Sequence, residues 1–293
     1  MQDPLFTVIM PSFNTAPYIE SAILSVCNQT YNNWELLIVI DPGTTDNTYK
    51  VAMDTKNSVA QFNKIRIIYS DKPKLQYVTA YGIEEASGTI LGILDSDDQL
   101  YSESLETSVN VQNRSSKVGF TWSKVRLDSG QRRGGNNSGY EDLFSTFMCS
   151  GWWQAQHFKT FKKEWYDKSH GLRLDYPYAV DFNLALCMAE SGCDCVYIGK
   201  YLYWYRSKRI DSMTNTVKPE QKECYRALKK EWRELHKEED RAISKVKKTT
   251  ASKSSTKKQG YKSLKKRGKV VGISSRREPK SKVVVVKKHR VKK

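Results

Sequence analysis

Short apolar runs alternate with amphipathic segments along the first hundred residues, and this pattern predicts strands that alternate with helices. Strands rich in apolar and β-branched residues are expected at 5–10, 35–40, 65–69 and 89–94. Helices are expected around 18–26, up to about residue 55, and over 77–86 before Gly88. Such an order is typical of a mostly parallel α/β sheet.

The pattern changes after residue 101, where the elements are expected to be longer and less regular. They are helices at 103–112, near 140–148 and at 181–191, strands at 118–127 and 196–205, and a flexible loop at 129–139. Phe158 and Phe161 are three positions apart, a helical spacing that favours a place in the core. We divide the chain into residues 1–100, 101–216, a charged helix over 217–243 and a tail over 244–293.

Net charge separates the tail from the rest of the chain. The protein carries +17, but residues 244–293 hold 20 Lys and Arg against one Glu, so residues 1–243 carry −2. This tail is expected to be disordered and to bind polyanions such as nucleic acid or an anionic membrane surface. No apolar run suits a transmembrane segment and no signal peptide is recognised, so we expect a cytoplasmic location, peripheral to a membrane if the tail binds one.

The most informative stretch is the acidic cluster Asp95-Ser96-Asp97-Asp98, which follows the fourth predicted strand. Three carboxylates at the end of a buried strand are costly unless a cation binds there. Asp95 and Asp97 would lie on the same side of an extended backbone, and two hard oxygen ligands suit Mg²⁺ or Mn²⁺, which commonly also hold substrate phosphates. A solvated turn with helix-capping aspartates is the alternative.

Polar side chains follow each of the first four predicted strands. They are Asn14, Asp41, Asp71 and Asp95. Ligands of parallel α/β sheets bind at the carboxyl ends of strands. The four residues therefore predict one ligand site at this edge of the sheet.

Three segments in this order resemble the family 2 glycosyltransferases, whose fold is called GT-A. The opening strand ends in Pro11-Ser12-Phe13-Asn14, the stretch Gln29 to Glu35 leads into a second strand ending at Asp41, and Asp95-Ser96-Asp97 follows. The resemblance covers residues 5–215. It implies an α/β GT-A fold in which residues 1–100 bind the nucleotide-sugar and residues 101–216 bind the acceptor.

The resemblance also implies a reaction. It is the inverting, metal-dependent transfer of a sugar from a nucleotide-diphosphate donor, expected to be a UDP-sugar, to a hydroxyl acceptor such as a glycan. The expected cofactor is Mn²⁺ or Mg²⁺.

Roles on the donor side follow from the same resemblance. Asp41 would accept a hydrogen bond from the nucleotide base, in a pocket lined by Pro11, Ser12 and Asn14. Asp41-Pro42-Gly43 is also a good turn sequence, which is the alternative.

The metal and the diphosphate are implied to lie beside the acidic cluster. Asp97 is expected to ligate the metal directly, with Asp95 at the metal or the ribose and Asp98 in support. Arg206 would lie over the diphosphate.

Asp181 is the implied catalytic base, because Val180-Asp181 resembles the family's Glu-Asp helix start. A base would take the proton of the acceptor hydroxyl. The alternative is that Asp181 caps the helix.

Departures from the family pattern leave two alternatives open. Pro42 stands where a second Asp is common, Thr79-Ala80 where Arg-Asn is common, and Lys208-Arg209 where a His is common. One alternative is a non-catalytic sugar-nucleotide-binding protein on this scaffold. The other is a sugar-1-phosphate nucleotidyltransferase, which normally has a Gly-rich, Lys-containing loop that this chain lacks after its first strand.

Overall fold

The computed structural model describes residues 3–133, 155, 157–209 and 216–235. Its strands are β1 (Phe6–Ser12), β2 (Trp34–Ile40), β3 (Ile65–Tyr69), β4 (Ile90–Ile93), β5 (Gln99–Leu100), β6 (Val118–Leu127), β7 (Arg132–Arg133), β8 (Lys159–Lys162) and β9 (Asp194–Tyr205). Its α-helices are α1 (Ile19–Cys27), α2 (Thr48–Ser58), α3 (Leu75–Glu85), α4 (Ser104–Gln112), α5 (Lys163–Tyr166), α6 (Val180–Ser191) and α7 (Lys218–Leu235). The expected helix near 140–148, the end of the charged helix after residue 235 and the tail lie outside the described residues.

The described strands form one mixed sheet. Its order is β3-β2-β1-β4-β8-β6-β9-β5, with β7 paired to β6. The strands β3, β2, β1 and β4 run parallel to one another, and β8 joins β4 in the antiparallel direction. The carboxyl ends of the first four strands therefore meet at one edge, as the alternating pattern predicts.

Helices cover both faces of this sheet. In β1, Val8 and Met10 pack into the same core as side chains of α1, α2 and α4, whereas Ile9 packs into the core that contains α3, α6 and α7. All three side chains are fully buried, and each such burial stabilises the fold by about 1.5–3 kcal/mol. This is why the parallel strands are continuously apolar rather than alternating.

Phe158 and Phe161 are buried as expected, but they do not lie on a helix. Phe161 belongs to β8 and Phe158 immediately precedes it. Three positions along an extended chain place two side chains on opposite faces, and the rings accordingly enter different cores. The helical interpretation of their spacing is wrong because four residues are too few to show a strand period.

The charged helix α7 is held by a narrow apolar stripe. Leu228 and Trp232, four residues apart, are buried, and the ring of Tyr225 lies 4.2 Å from that of Phe182 in α6. This contact ties the end of the described chain to the helix that carries Asp181. In the part of the chain that the structure describes, every helix is too short or too polar to cross a bilayer.

Candidate functional site

The edge predicted from the strand order is formed by the four expected polar residues. Asn14, Asp41, Asp71 and Asp95 each lie one or two positions beyond the end of β1, β2, β3 and β4. The parallel pairing of these strands brings the four positions to the same end of the sheet. A polar site is therefore built by topology and not by any single loop.

Asp41 is buried and both of its carboxylate oxygens accept backbone N–H groups. Oδ1 accepts from Gly43 at 2.7 Å, and Oδ2 accepts from Lys74 at 2.6 Å. The first bond shapes the turn expected as the alternative, and the second fixes the start of α3. Each oxygen keeps a second lone pair, so recognition of a nucleotide base stays a prediction for Asp41.

The remaining residues of the expected base pocket are held by β1 and the turn after it. Pro11 and Ser12 are buried at the end of β1, and the Ser12 hydroxyl donates to the carbonyl of Met10 at 3.2 Å. Asn14 lies in the turn after β1 and does not cap α1, whose N-cap is Tyr18. Its Oδ1 accepts the N–H of Thr45 at 2.9 Å and so joins this turn to the segment before α2.

Three non-glycine residues have positive φ among those described, and each either is an expected site residue or lies close to one. They are Asn14 (φ 49°), Lys74 (87°) and Ala179 (61°). Lys74 binds Asp41, and Ala179 lies two residues before Asp181. Such conformations cost about 1–3 kcal/mol each and are concentrated at functional sites.

The acidic cluster is a turn and not the extension of a strand. β4 ends at Ile93, and the N–H of Asp98 donates to the carbonyl of Asp95 at 3.0 Å. The argument that Asp95 and Asp97 share one side of an extended backbone is therefore wrong. Their charges still interact, because burial raises the pKa of Asp95 and the charge of Asp97 raises it further.

Two arginines converge on this acidic turn from the segment after β9. Arg206 donates its backbone N–H to Asp98 Oδ1 at 2.7 Å and its Nε–H to the carbonyl of Asp97 at 2.9 Å. Arg209 pairs with Asp97, with Nη1 at 3.1 Å from Oδ2. Both guanidinium groups also lie over the ring of Tyr18. Arg206 is therefore at the site, as expected, while the contribution of Arg209 is larger than the sequence suggested.

The surroundings of Asp95 and Asp98 in this turn disfavour the charged form of each carboxylate. Burial, reinforced by the charge of Asp97, raises the pKa of Asp95 to about 7. Burial also raises the pKa of Asp98 well above its usual range, and Asp98 Oδ2 has no hydrogen-bond partner among the described residues. A cation bound beside this turn would stabilise both the buried acceptor without a partner and the carboxylate whose charged form burial disfavours.

A divalent cation fits this donor set. Asp95 and Asp97 supply hard carboxylate oxygens, and the unpartnered Asp98 oxygen lies in the same turn. Within the described ranges, no three His, Cys, Asp or Glu side chains are arranged to hold a metal by themselves. The protein would thus give only part of the coordination, which is how Mg²⁺ is commonly bound together with substrate phosphates.

Asp181 lies in the first turn of α6, and its N-cap interpretation is wrong. The N-cap is Ala179, while Asp181 Oδ1 accepts the N–H of Phe182 at 2.8 Å. Its other oxygen, Oδ2, is 3.8 Å from the ammonium nitrogen of Lys159. The side chain is 38% exposed, so it is accessible to a substrate.

Lys159 and His157 are site residues whose part in the site the sequence did not reveal. Lys159 Nζ is 3.4 Å from His157 Nδ1, and His157 Nε2 is 3.7 Å from Asp95 Oδ2. The local signal for Lys159 is its position between Phe158 and Phe161, two residues expected in the core. A lysine beside buried rings is seldom buried unless its charge is paired.

Comparisons with known proteins agree with this fold. The model of the family described as glycosyl transferase family 2 matches residues 7–172. The UDP-Glc:alpha-D-GlcNAc-diphosphoundecaprenol beta-1,3-glucosyltransferase WfgD of Escherichia coli is 34% identical over 112 residues, which are 38% of this chain and 42% of that protein. The chain thus spans less than half the length of this curated relative.

Solved structures show the same fold. Staphylococcus aureus TarS 1-349 in complex with UDP-GlcNAc has a TM-score of 0.56 at 17% identity, covering 70% of this chain and 59% of that one. The mannosyltransferase PcManGT of Pyrobaculum calidifontis, in complex with GDP-Man and Mn2+, has a TM-score of 0.55 at 18% identity, covering 71% and 59%. This likeness confirms the α/β fold of GT-A type expected from the sequence.

Proposed function

Because the chain belongs to glycosyl transferase family 2, we propose that it is an inverting, metal-dependent glycosyltransferase that moves a sugar from a nucleotide-diphosphate donor to a hydroxyl acceptor. The observation that carries the proposal is the position of two acidic groups at the carboxyl edge of the sheet. One group is the Asp95–Asp98 turn, the other is Asp181, and Lys159 and His157 link them.

In this proposal the donor side neutralises the leaving group. Asp97 and Asp95 would hold Mn²⁺ or Mg²⁺, which supplies Lewis-acid stabilisation of the diphosphate when bound. Arg206 adds positive charge beside the same turn, held in place by its bonds to Asp98 and to the Asp97 carbonyl. Asp41, Pro11, Ser12 and Asn14 form the expected nucleotide pocket.

On the acceptor side Asp181 acts as the general base. Its carboxylate takes the proton of the acceptor hydroxyl while that oxygen forms a bond to C1 of the sugar. The bond from C1 to the diphosphate oxygen breaks on the opposite face, and its electron pair leaves with the nucleoside diphosphate. One substitution at C1 inverts the configuration, and the proton remains on Asp181 until solvent removes it.

The donor is proposed to be a UDP-sugar and the acceptor a glycan hydroxyl. TarS is seen with UDP-GlcNAc and WfgD is named for UDP-Glc, which supports uridine, while the GDP-Man complex of PcManGT keeps guanosine as the alternative. The domain division, with donor binding in 1–100 and acceptor binding in 101–216, is proposed on the same grounds.

A non-catalytic nucleotide-sugar-binding protein is the second candidate, and one observation favours it. Arg209 already pairs with Asp97, the residue expected at the metal, and both partners are largely buried. If this pair does not open, the donor would bind without the metal and without turnover.

The test is a panel of UDP-glucose, UDP-GlcNAc and GDP-mannose with the purified full chain. For the enzyme, we expect one donor to raise the melting temperature only when Mn²⁺ is present, and to release nucleoside diphosphate in a reaction that EDTA stops. Stabilisation without release would identify the binding protein. If no nucleotide sugar stabilises the chain, both candidates are wrong.

A further inference from the structure

Lys159 is a deeply buried basic residue near the proposed site, and its side chain is only 2% exposed. It lies at the start of β8, directly opposite Ile93 of β4, two residues before Asp95. Burial lowers the pKa of this lysine, while the charges of Asp181 and Asp95 counteract that effect. A buried ammonium group is retained in a fold only where it is paired, and here the partners belong to opposite sides of the site.

The contacts of Lys159 determine which ring nitrogen of His157 accepts a hydrogen bond. Its Nζ lies 3.8 Å from Asp181 Oδ2 and 3.4 Å from His157 Nδ1. An ammonium group has only donors, so Nδ1 of His157 must accept. The neutral imidazole then carries its proton on Nε2, which lies 3.7 Å from Asp95 Oδ2.

His157 is itself fixed by its surroundings. Its ring is stacked on Tyr203 at a centroid distance of 4.7 Å, and its carbonyl accepts the hydroxyl of Ser123 at 3.0 Å. The Tyr203 hydroxyl in turn accepts the N–H of Asp95 at 3.1 Å. Lys159 therefore contacts a rigid group on the donor side and a helix-borne carboxylate on the acceptor side.

We propose that Lys159 is a positioning residue, whose ammonium group holds the Asp181 carboxylate at the acceptor side and keeps His157 turned towards Asp95. The role rests on the proposed function of Asp181 as the base. In this role Lys159 would contact neither the reacting hydroxyl nor the sugar. It acts by restricting the side chain that does, since small displacements of a catalytic group reduce rates strongly.

The test compares Lys159→Met with Lys162→Met, a matched control on the same strand whose ammonium group binds the carbonyl of Ser115. Nucleoside diphosphate release is followed with the donor that the panel selects and Mn²⁺. We expect Lys159→Met to lower the rate at saturating donor by about 100-fold, with the donor KM changed by less than about twofold. Lys159→Arg, which restores the charge, should recover part of the rate, and Lys162→Met should behave as the wild type.

A double substitution separates positioning from a merely structural role. If Lys159 acts through Asp181, Lys159→Met with Asp181→Asn should be no slower than Asp181→Asn alone. Additive losses in rate would overturn the proposal. So would a wild-type rate for Lys159→Met per folded molecule.

Unfolding in urea tests the pairing without any turnover. We expect the two substitutions to be non-additive by about tenfold or more in the unfolding equilibrium constant, because Asp181→Asn leaves a buried ammonium group without this partner only while Lys159 is present. If the wild type releases no nucleotide from any donor, the proposed function fails, and non-additive unfolding would then leave Lys159 as a structural ion-pair partner only. Additive unfolding would refute the pairing itself.

Lys159→Gln replaces Lys159→Met in both assays if the methionine variant does not fold, since it keeps the polar end without the charge. If neither variant folds while Asp181→Asn folds normally, Lys159 is needed for something other than Asp181 and the proposal is wrong.

Discussion

Asp97 stands between two possible cationic partners. In the structure its Oδ2 is paired with Arg209, whereas the proposed reaction needs it at a divalent metal. Its charge also contributes to the raised pKa values of Asp95 and Asp98. Asp97 therefore repels two carboxylates and attracts one guanidinium, and metal binding would change both interactions at once.

Replacing Asp97 with Asn should stop catalysis without unfolding the protein. We expect nucleoside diphosphate release to fall about 100-fold or more, because the leaving group loses its charge stabilisation. Stability should change by less than about 1 kcal/mol, since relief of repulsion at Asp95 and Asp98 offsets the lost pair with Arg209. Turnover and thermal melting measure the two effects, with Asp54→Asn on the exposed face of α2 as control. Near wild-type turnover would show that Asp97 does not hold the metal.

Replacing Asp181 with Asn should separate transfer from donor binding. The amide keeps an acceptor for the Phe182 N–H but cannot take a proton, so we expect turnover to fall roughly 100-fold or more. The donor Kd, measured by calorimetry in Mn²⁺, should change by less than about twofold. Glu190→Gln, near the other end of α6, is the control. A weakened donor Kd with retained turnover would place Asp181 at the donor.

At the scale of elements, the sequence predicts best the strands and helices that show a regular pattern of apolar residues. The strands at 65–69 and 118–127 match β3 and β6 at both ends, because β3 is mostly apolar and β6 alternates apolar and polar residues over much of its length. The four-residue strand β8 and the two-residue strands β5 and β7 were missed, since their pairing comes from distant segments. Tertiary contacts decide such elements.

The same dependence on tertiary contacts explains which site residues the sequence did not reveal. Asn14, Asp41 and Asp95 were found because each follows a predictable strand. Lys159 reaches the site only because β8 inserts beside β4, which no local pattern shows. Arg209 reaches Asp97 across more than a hundred residues of chain. Residues placed by long-range pairing are therefore the ones that sequence reasoning overlooked.

Gly92 of β4 is an element-scale position where a small change in side-chain size should destabilise the fold. A Cβ there would lie 2.6 Å from Cζ of Phe158, whose ring is stacked between Phe6 and Tyr203. Because that ring cannot move freely, we expect Gly92→Ala to destabilise the fold by about 1–3 kcal/mol.

Urea unfolding measures this cost, and Gly199→Ala in β9 is the matched control, since nothing lies within 4 Å of its added Cβ. Replacing the Phe158 ring with the smaller leucine side chain, in the double variant Gly92→Ala with Phe158→Leu, should recover part of the lost stability. If Gly92→Ala is as stable as Gly199→Ala, the packing against Phe158 is looser than the structure has it.

At the scale of the whole molecule, the excess positive charge and the proposed site lie in different parts of the chain. The proposed site and both cores lie within residues 3–235, while residues 244–293 carry 20 of the 49 Lys and Arg. Lysine and arginine bind phosphate groups without sequence specificity, and salt weakens that binding steeply. Anchoring to a polyanion and sugar transfer should therefore be separable functions.

Truncation after Ile243 should remove polyanion binding and leave catalysis intact. We expect nucleoside diphosphate release to stay within about twofold of the full chain, because no residue of the proposed site is removed. Binding to duplex DNA and to phosphatidylglycerol vesicles should be lost at low salt, and in the full chain it should weaken steeply as salt rises. A chain with residues 244–293 in scrambled order is the matched control and should bind as the wild type does, since charge alone supplies the affinity. If the truncated chain binds both polyanions as tightly as the full chain, the binding surface lies outside residues 244–293. If the chain with the scrambled tail fails to bind while the wild type binds, the tail recognises its partner by sequence and not by charge.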